Sequence, residues 1–181
     1  MMGSFGLMAH NNLWSNYRLL NACAALSQEE FEAERTSFFP SLMATLNHIL
    51  IVDWFYLDAL EAGGKGPAVY ANDIPCRTVE ELRVAQPQSD ERLVDLCVSL
   101  KAERLASHVT LLRESGARQV ERIERVLLHL FMHQIHHRGQ VHAMLAGTRI
   151  APPQLDEFFL ESDAALCADD LAALSISARD G

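Results

Sequence analysis

Residues 127–142 constrain the fold more than any other part of the chain, because they hold five of its eight histidines. An α-helix turns by about 100° per residue, so four of these histidines and one glutamine share an arc roughly 100° wide. They are His129, His133, His136, His137 and Gln140, whereas His142 falls on the opposite side. Buried polar side chains need partners, so this arc is not an ordinary apolar core face. The alternative is a solvated face enriched in histidine by chance.

The spacing of these histidines is typical of metal ligands. Imidazoles at positions i and i+4 lie on adjacent turns of a helix and can converge on one ion. His133 and His137 are the best pair, but His129 and His133 have the same spacing, so spacing alone does not choose. No glutamate directly follows the first histidine of the pair, which argues against the helix of a standard zinc protease. The chain also lacks a G-x-S-x-G motif and a phosphate-binding glycine loop.

A third ligand would come from a facing helix, and His48 is the candidate. It lies in the middle of an apolar helical segment, where a lone histidine is more often a hydrogen-bonded core residue. Beside a helix with an H-x-x-x-H pair, the interpretation as a ligand is favoured instead. Three neutral imidazoles leave one coordination position open, as in catalytic rather than structural metal sites. A cation bound there can lower the pKa of a water or thiol, or polarise a carbonyl group.

The apolar pattern predicts four long helices, over about residues 8–26, 41–62, 89–105 and 120–146. Ser27 and Glu30 predict a capping box at the start of a short helical turn. Residues 65–88 hold three prolines and predict a long crossing connection between helices 2 and 3. In residues 109–121, either the third helix continues or a short hairpin intervenes. The predicted fold class is therefore all-α, a four-helix bundle with this crossing connection.

Length, charge and cysteine usage bound the remaining possibilities. A chain of 181 residues predicts a single domain over 1–181. The net charge of −9 disfavours nucleic acid as a partner. We expect no membrane partner, because no apolar run approaches the ~18 residues of a membrane span and residues 1–10 do not resemble a signal peptide. The four cysteines are widely spaced, with no C-x-x-C pair, which predicts reduced thiols in a cytoplasmic protein.

The last predicted helix resembles the hallmark helix of the DinB-like family. The resemblance rests on residues 129–145, HLFMHQIHHRGQVHAML, and is most specific in the H-x-x-x-H-R-G-Q core. Residues 11–16 (NNLWSN), 46–54 (LNHILIVDW) and 151–156 (APPQLD) are similar to the corresponding family segments. The similarity covers about residues 8–160, which leaves 161–181 as a C-terminal extension. Residues 109–121 leave little room for the hairpin that this family often has before its last helix.

The resemblance implies a four-helix bundle in which His48, His133 and His137 bind one divalent metal ion. The metal varies within the family among zinc, nickel, iron and manganese. The resemblance also implies a homodimer. Characterised relatives include thiol-dependent S-transferases and a mycothiol-dependent isomerase, whereas many members have no assigned reaction. A small-molecule thiol and an electrophilic substrate are therefore the partners that the resemblance favours.

Gln140 and His136 are the candidate catalytic residues. Gln140 lies one turn beyond His137, from where it can hydrogen-bond a ligand, a metal-bound water or a substrate. The alternative for Gln140 is a packing contact between helices. His136 flanks the histidine pair. It either supports the metal ligands from the layer around them or lies on the surface. His10 and Asp53 are further candidates for a general base or for a residue that supports the ligands.

Two functional hypotheses follow. The first is a metal-dependent enzyme of the thiol S-transferase or hydrolase type, in which the ion holds a thiolate or hydroxide for attack on an electrophilic small molecule. The second is a non-catalytic metal-binding or stress-response binding protein that keeps the fold and the site. No cysteine lies near the histidine segment in sequence, and none is in a motif that lowers its pKa. We therefore expect the nucleophile to be an exogenous thiol or a water.

Overall fold

The computed structural model describes residues 3–176. Four long helices form the bundle: α1 (Ser4–Cys23), α3 (Leu42–Leu60), α4 (Val79–Ser99) and α6 (Ile123–Ala146). Both α1 and α3 pack against α4 and α6. The smaller elements are α2 (Gln28–Glu32), α5 (Ala102–Ala106), α7 (Ala164–Ala173), strands β1 (His108–Leu112) and β2 (Arg118–Arg122), and 3-10 helices at Gly66–Ala71 and Glu161–Asp163. The predicted all-α bundle with a long connection between its second and third long helices is confirmed.

Two apolar clusters fill the bundle, and a polar layer separates them. One cluster joins the last turns of α3 to the first half of α6, around Leu57, Leu127 and Phe131. The other joins the first turns of α3 to the last turns of α6, around Leu46 and Leu145. Between these clusters each long helix contributes buried polar side chains, namely Asn12, Asn16, Asp53, Gln86, Asp90, Gln134 and Arg138. The histidine segment of α6 therefore lies at the middle of the bundle.

Three helix ends follow from the local sequence, and of these the capping box at Ser27 and the end of the last long helix were predicted. Ser27 and Glu30 form the capping box of α2, with the Ser27 hydroxyl accepting from the Glu30 backbone N–H. Ser41 caps α3 by accepting from the backbone N–H of Ala44. Helix α6 ends where Gly147 follows its last residue, Ala146. The cap at Ser41 fixes where α3, the helix of His48, begins, and Gly147 marks where α6, the helix of His133 and His137, ends.

Helix α4 begins ten residues before the predicted start at Ser89, which is therefore wrong. Thr78 and Glu81 form a capping box that opens the helix at Val79. Pro87 then lies inside the helix, where it cannot donate a hydrogen bond to the carbonyl group of Arg83. Arg83 is on the exposed side of the helix, so water can take the place of the missing donor. The crossing connection is accordingly shorter than predicted and covers residues 61–78.

A β-hairpin precedes α6, so the expectation that residues 109–121 leave little room for one is wrong. Strands β1 and β2 pair antiparallel, with His108 opposite Arg122 and Leu112 opposite Arg118. The chain reverses within residues 113–117, where Gly116 has φ +80°, a conformation that glycine adopts without strain. A turn this tight lets two five-residue strands fit the short segment.

The described part of the C-terminal extension packs against α1. Helix α7 and the loop before it form a third apolar cluster with α1, made of Trp14, Phe158, Cys167 and Leu171. Arg18 of α1 forms ion pairs with Glu157 at 2.8 Å and Asp170 at 2.6 Å. The extension predicted for 161–181 thus contains an ordered helix, and its residues 177–181 lie outside the described part. That the whole chain is a single domain stays a prediction.

No helix within residues 3–176 combines the length and the apolar character that crossing a membrane requires. All four cysteines lie in the described part, are buried and form no disulfide. The absence of a disulfide agrees with the reduced thiols predicted from their spacing.

Candidate metal centre

The structure brings His48, His133 and His137 together. One ligand nitrogen from each ring lies within 4.8 Å of the others. The Nε2 atoms of His48 and His133 are 2.9 Å apart. Two imidazole nitrogens bound to one tetrahedral zinc ion would be about 3.3 Å apart. The three rings therefore converge as a group of metal ligands does, and the pairing of His133 with His137, rather than with His129, is the one that meets His48.

The local sequence of α6 determines which side chains face α3. Leu130, Phe131 and Val141 are buried in the apolar core and fix the rotation of the helix about its axis. His133 and His137 lie beside this core face, in the groove where α6 packs against α3. On α3, the apolar residues Ile49 and Leu50 are buried, which leaves the preceding His48 half-buried at the groove.

Burial keeps these imidazoles neutral. Desolvation, followed by the neighbouring imidazoles, lowers the pKa of His133 from 6.5 to about 3. Desolvation and the nearby His137 lower the pKa of His48 to about 4. The pKa of His137 is also lowered, mainly by desolvation, although the hydrogen bond that His137 donates to Gln140 acts in the opposite direction. Neutral imidazole is the form that binds a metal ion, so all three rings have a free lone pair at neutral pH.

Gln140 connects two histidines of α6. Its Oε1 lies 2.8 Å from His137 Nδ1, and its Nε2 lies 3.2 Å from His136 Nε2. With this amide orientation, His137 donates from Nδ1 and keeps Nε2 unprotonated, whereas His136 accepts. A hydrogen bond of this kind orients a metal-binding histidine and fixes its tautomer. Gln140 is thus positioned to hold His137, and His136 is exposed next to it.

The remaining histidines near the stripe stay outside the group. His129 is exposed and packs edge-on against Tyr56, with its ring centroid 6.4 Å from that of His133. His10 contacts the carbonyl oxygen of Gly6 at 2.8 Å, one turn back on α1. His133 Nδ1 is buried without a hydrogen-bond partner among the described residues, which distinguishes it from the well-held His137.

Asp53 belongs to the buried polar layer rather than to the histidine group. Its carboxylate accepts from Gln86 at 2.8 Å and from Gln134. Asp90 in turn accepts from Asn12 at 2.9 Å and from Asn16 at 3.0 Å. Burial raises the pKa of both carboxyl groups, Asp53 and Asp90, and the nearby charge of Asp90 raises the pKa of Asp53 further. The structure therefore places Asp53 as a bonded core residue and does not bring it to the three imidazoles.

Arg138 supplies the positive charge of this layer. It is buried and donates to Asn12 and, at 3.3 Å, to Asn16 of α1. The charges of Asp90 and Asp53 offset part of its desolvation. The hydrogen bonds of Arg138 are directed into the core, so its side chain joins α6 to α1 and is unavailable to a substrate at the groove.

Phe39 is a site residue that sequence reasoning missed. Its ring lies 4.2 Å from the ring of His48 and 5.6 Å from that of His137. In the sequence, the Phe38–Phe39–Pro40 stretch indicates only an interruption between helices. Its position over the imidazoles depends on how the loop before α3 folds back, and no local pattern signals that contact.

A helical bundle whose facing helices present three convergent imidazoles has the architecture of a bundle metalloprotein. A family model described as the DinB family matches residues 1–170, and the chain belongs to this family. Protein DinB of Bacillus subtilis is 25% identical over 148 residues, covering 78% of this chain and 85% of that relative. The crystal structure of a DinB-like protein from Bacillus cereus has a TM-score of 0.59 and 16% identity, covering 78% of this chain and 90% of that one. The structural likeness shows a shared fold.

Proposed function

We propose that His48, His133 and His137 bind one divalent metal ion and that the protein is a metal-dependent enzyme acting on small molecules. The observation that carries this proposal is the convergence of three ligand nitrogens within 4.8 Å on two facing helices. Imidazole donors suit zinc, nickel and iron, whereas manganese prefers oxygen ligands. We therefore rank manganese last among the four metals that the family resemblance implies.

The reaction that this site supports best is transfer of a thiol, or hydrolysis, at an electrophilic small molecule. A bound divalent cation would lower the pKa of a thiol or water at its open position. Gln140 holds His137 in the tautomer that presents Nε2 to the group. His136 is exposed beside Gln140 and can exchange a proton with solvent. Phe39 covers one side of the imidazoles and restricts the approach of bulk water.

The cysteines support an exogenous nucleophile. Desolvation by burial raises the pKa of Cys23 and of Cys97 to about 12. The pKa of Cys76 is raised as well, for the same reason. Cys167 is buried in the cluster between α1 and α7. A buried thiol with a raised pKa is a poor nucleophile, so a small-molecule thiol or a water is the better source of the attacking group.

A homodimer and a cytoplasmic location are part of the proposal. Leu128, Met132 and Ile135 are 53%, 64% and 45% exposed along one side of α6, an apolar stripe suited to a second copy of the chain. Light scattering at micromolar concentration should then give twice the monomer mass of 20.2 kDa. A measured mass equal to that of the monomer would contradict the proposed homodimer. The free buried cysteines favour a reducing compartment.

The test of the reaction is a screen of low-molecular-weight thiols against epoxide, halide and maleyl-type electrophiles. We expect turnover that is lost when a chelator removes the metal and restored when the metal is added back. The His137→Ala protein is the matched inactive variant. A covalent adduct on one of the protein's own cysteines during turnover would contradict the exogenous nucleophile. No metal-dependent turnover across the panel, with the metal still bound, would favour the non-catalytic binding protein.

A further inference from the structure

We propose that a cavity beside the histidine group binds the carboxylate of a small-molecule ligand. The cavity has a volume of about 300 Å³ and lies where α3, α6 and the β-hairpin meet. Its polar lining comes from Tyr56, Arg113, Glu121, Arg125 and His129. No sequence motif predicts this cluster, because its members come from three separate elements. The ligand's other end would reach the three imidazoles, a part of the proposal that rests on the proposed function.

The charge of the cavity is opposite to that of the chain as a whole. The chain carries −9, yet two guanidinium groups and a single carboxylate line this cavity. The side chain of Arg125 has no ion pair or hydrogen bond within residues 3–176, and the side chain of Arg113 donates only to the neutral side chain of Gln119, at 2.7 Å. Glu121 likewise forms no ion pair in that part of the chain. The local excess is one positive charge, which a single carboxylate balances.

The donors in the cavity suit a carboxylate. A guanidinium group offers a planar fork of N–H donors that matches the two oxygens of a carboxylate. The hydroxyl group of Tyr56 has no hydrogen-bond partner among the described residues, although the side chain is largely buried. The guanidinium group of Arg113 lies over the Phe55 ring, with its Cζ 5.6 Å from the ring centroid, and this contact helps to hold it in place. The cavity thus presents the side chains of Arg125 and Tyr56, whose donors have no partner among the described residues, beside the positioned guanidinium of Arg113.

The position of the cavity connects it to the histidine group. His129, in its lining, is one helical turn before His133, and their ring centroids are 6.4 Å apart. Tyr56 is two turns beyond His48 on α3. A ligand whose carboxylate lies roughly 6–12 Å from its other functional group could occupy both places, given about 1.5 Å of rise per residue. The chemical class is therefore a carboxylic acid of modest length that carries a thiol or another metal-binding group at its far end.

The first experiment uses hexanoate as the probe and the full-length, metal-free protein, followed by NMR titration. We expect hexanoate to bind, and hexanamide, which lacks the charge, not to bind. Arg125→Ala should weaken hexanoate binding about tenfold or more, since a charge-assisted hydrogen bond is lost. Glu121→Gln should tighten it, because the competing negative charge is removed. Arg118→Ala, an equal loss of charge on the hairpin outside the cavity, should leave binding unchanged.

Equal affinity in the wild-type protein and in Arg125→Ala would overturn the cavity assignment. Tighter binding of inorganic phosphate than of hexanoate would overturn the choice of a carboxylate. Arg125, Glu121 and Arg118 are all exposed, so these substitutions leave the core intact, and circular dichroism checks that each variant is folded.

The second experiment connects the cavity to the histidine group. Cobalt-loaded protein is titrated with 6-mercaptohexanoate and with 6-mercaptohexanol, and the thiolate-to-cobalt absorption band is followed. We expect the carboxylate-bearing thiol to bind more tightly, and this advantage to disappear in Arg125→Ala while cobalt content stays the same. A failure to bind cobalt would contradict the proposed function and leave the hexanoate result standing. Cobalt binding with no advantage for 6-mercaptohexanoate would contradict the link between the two sites.

Discussion

Helix α6 carries two groups of polar side chains that are offset by one residue. They differ in the face of the helix on which they lie and in their hydrogen-bond partners. His133 and His137 face the groove against α3, and Gln134 and Arg138, the next residues, face the bundle core. On the core side each charged group has hydrogen-bond partners on other helices, such as Asn12 for Arg138. On the groove side the three imidazoles mainly face one another.

The difference separates a structural role from a functional one. Buried charges are stable only when they are paired and hydrogen-bonded, and the polar layer meets this condition by joining all four long helices. The imidazoles of the histidine group are neutral, so no charge has to be paired there; instead they crowd together, and His133 Nδ1 is buried without a partner in the described part. A cluster of donors with no protein partner is suited to a ligand. The paired and hydrogen-bonded charges therefore hold the helices together, and the converging imidazoles form the candidate site.

The largest expected effect is loss of stability when the polar layer loses its cation. Arg138→Met leaves Asp53 and Asp90 buried without a counter-charge, and breaking a buried charge set in this way costs about 3–5 kcal/mol. Urea unfolding measures the free energy. Arg118→Met, on the exposed face of the hairpin, is the control and should change stability by about 0.5 kcal/mol or less. Equal, small effects for both variants would show that Arg138 does not stabilise the core.

A smaller effect, on metal affinity, is expected when Gln140, which hydrogen-bonds the candidate ligand His137, is replaced. Gln140→Leu removes the acceptor for His137 Nδ1 and should lower metal affinity about 10–100-fold, with little change in stability because Gln140 is only half-buried. Gln140→Glu keeps an oxygen acceptor and should retain most of the affinity. Competition with a chromophoric chelator measures both. If the two variants lost affinity equally, the hydrogen bond to His137 would not be the cause.

The smallest effect, and the sharpest comparison, concerns how the free energy of unfolding of the metal-free protein depends on pH. The histidine group and the polar layer should give this dependence opposite signs. His133 has a pKa of about 3 in the fold against an ordinary 6.5, so the unfolded chain binds the proton first and stability falls as pH falls below 6.5. Asp53 has a raised pKa against an ordinary 3.8, so stability falls as pH rises above about 4.

Urea unfolding of wild type, His133→Ala and Asp53→Asn between about pH 5 and 7 separates these slopes. The stability of wild type relative to His133→Ala should decrease toward pH 5, and that relative to Asp53→Asn should increase. Each change should be about 1–2 kcal/mol, after allowance for the partial exposure of His133. Slopes of the same sign would contradict the division of α6 into two kinds of polar face.

The helical period explains what the sequence could predict. The fixed spacing of a helix gives two possible pairs, His129 with His133 and His133 with His137. The family resemblance selects the second pair and joins His48 to it, so the candidate ligands needed no tertiary information. The sequence carries a helical signal at 78–81, but Pro87 hid the fact that this short signal and the predicted third helix are one continuous helix, α4. Phe39 and Arg125 could not be predicted as site residues either, because loop packing and the hairpin bring them to the groove.

The metal content of freshly purified protein tests the central claim most directly. Mass spectrometry should find one divalent ion per chain in the wild-type protein, and close to none in His133→Ala and His137→Ala, because each loses one of the three converging nitrogens. His142→Ala is the matched control: His142 is on the same helix but is not a member of the group, so it should keep the full metal content. Unchanged stoichiometry in His133→Ala and His137→Ala would contradict the three-histidine site.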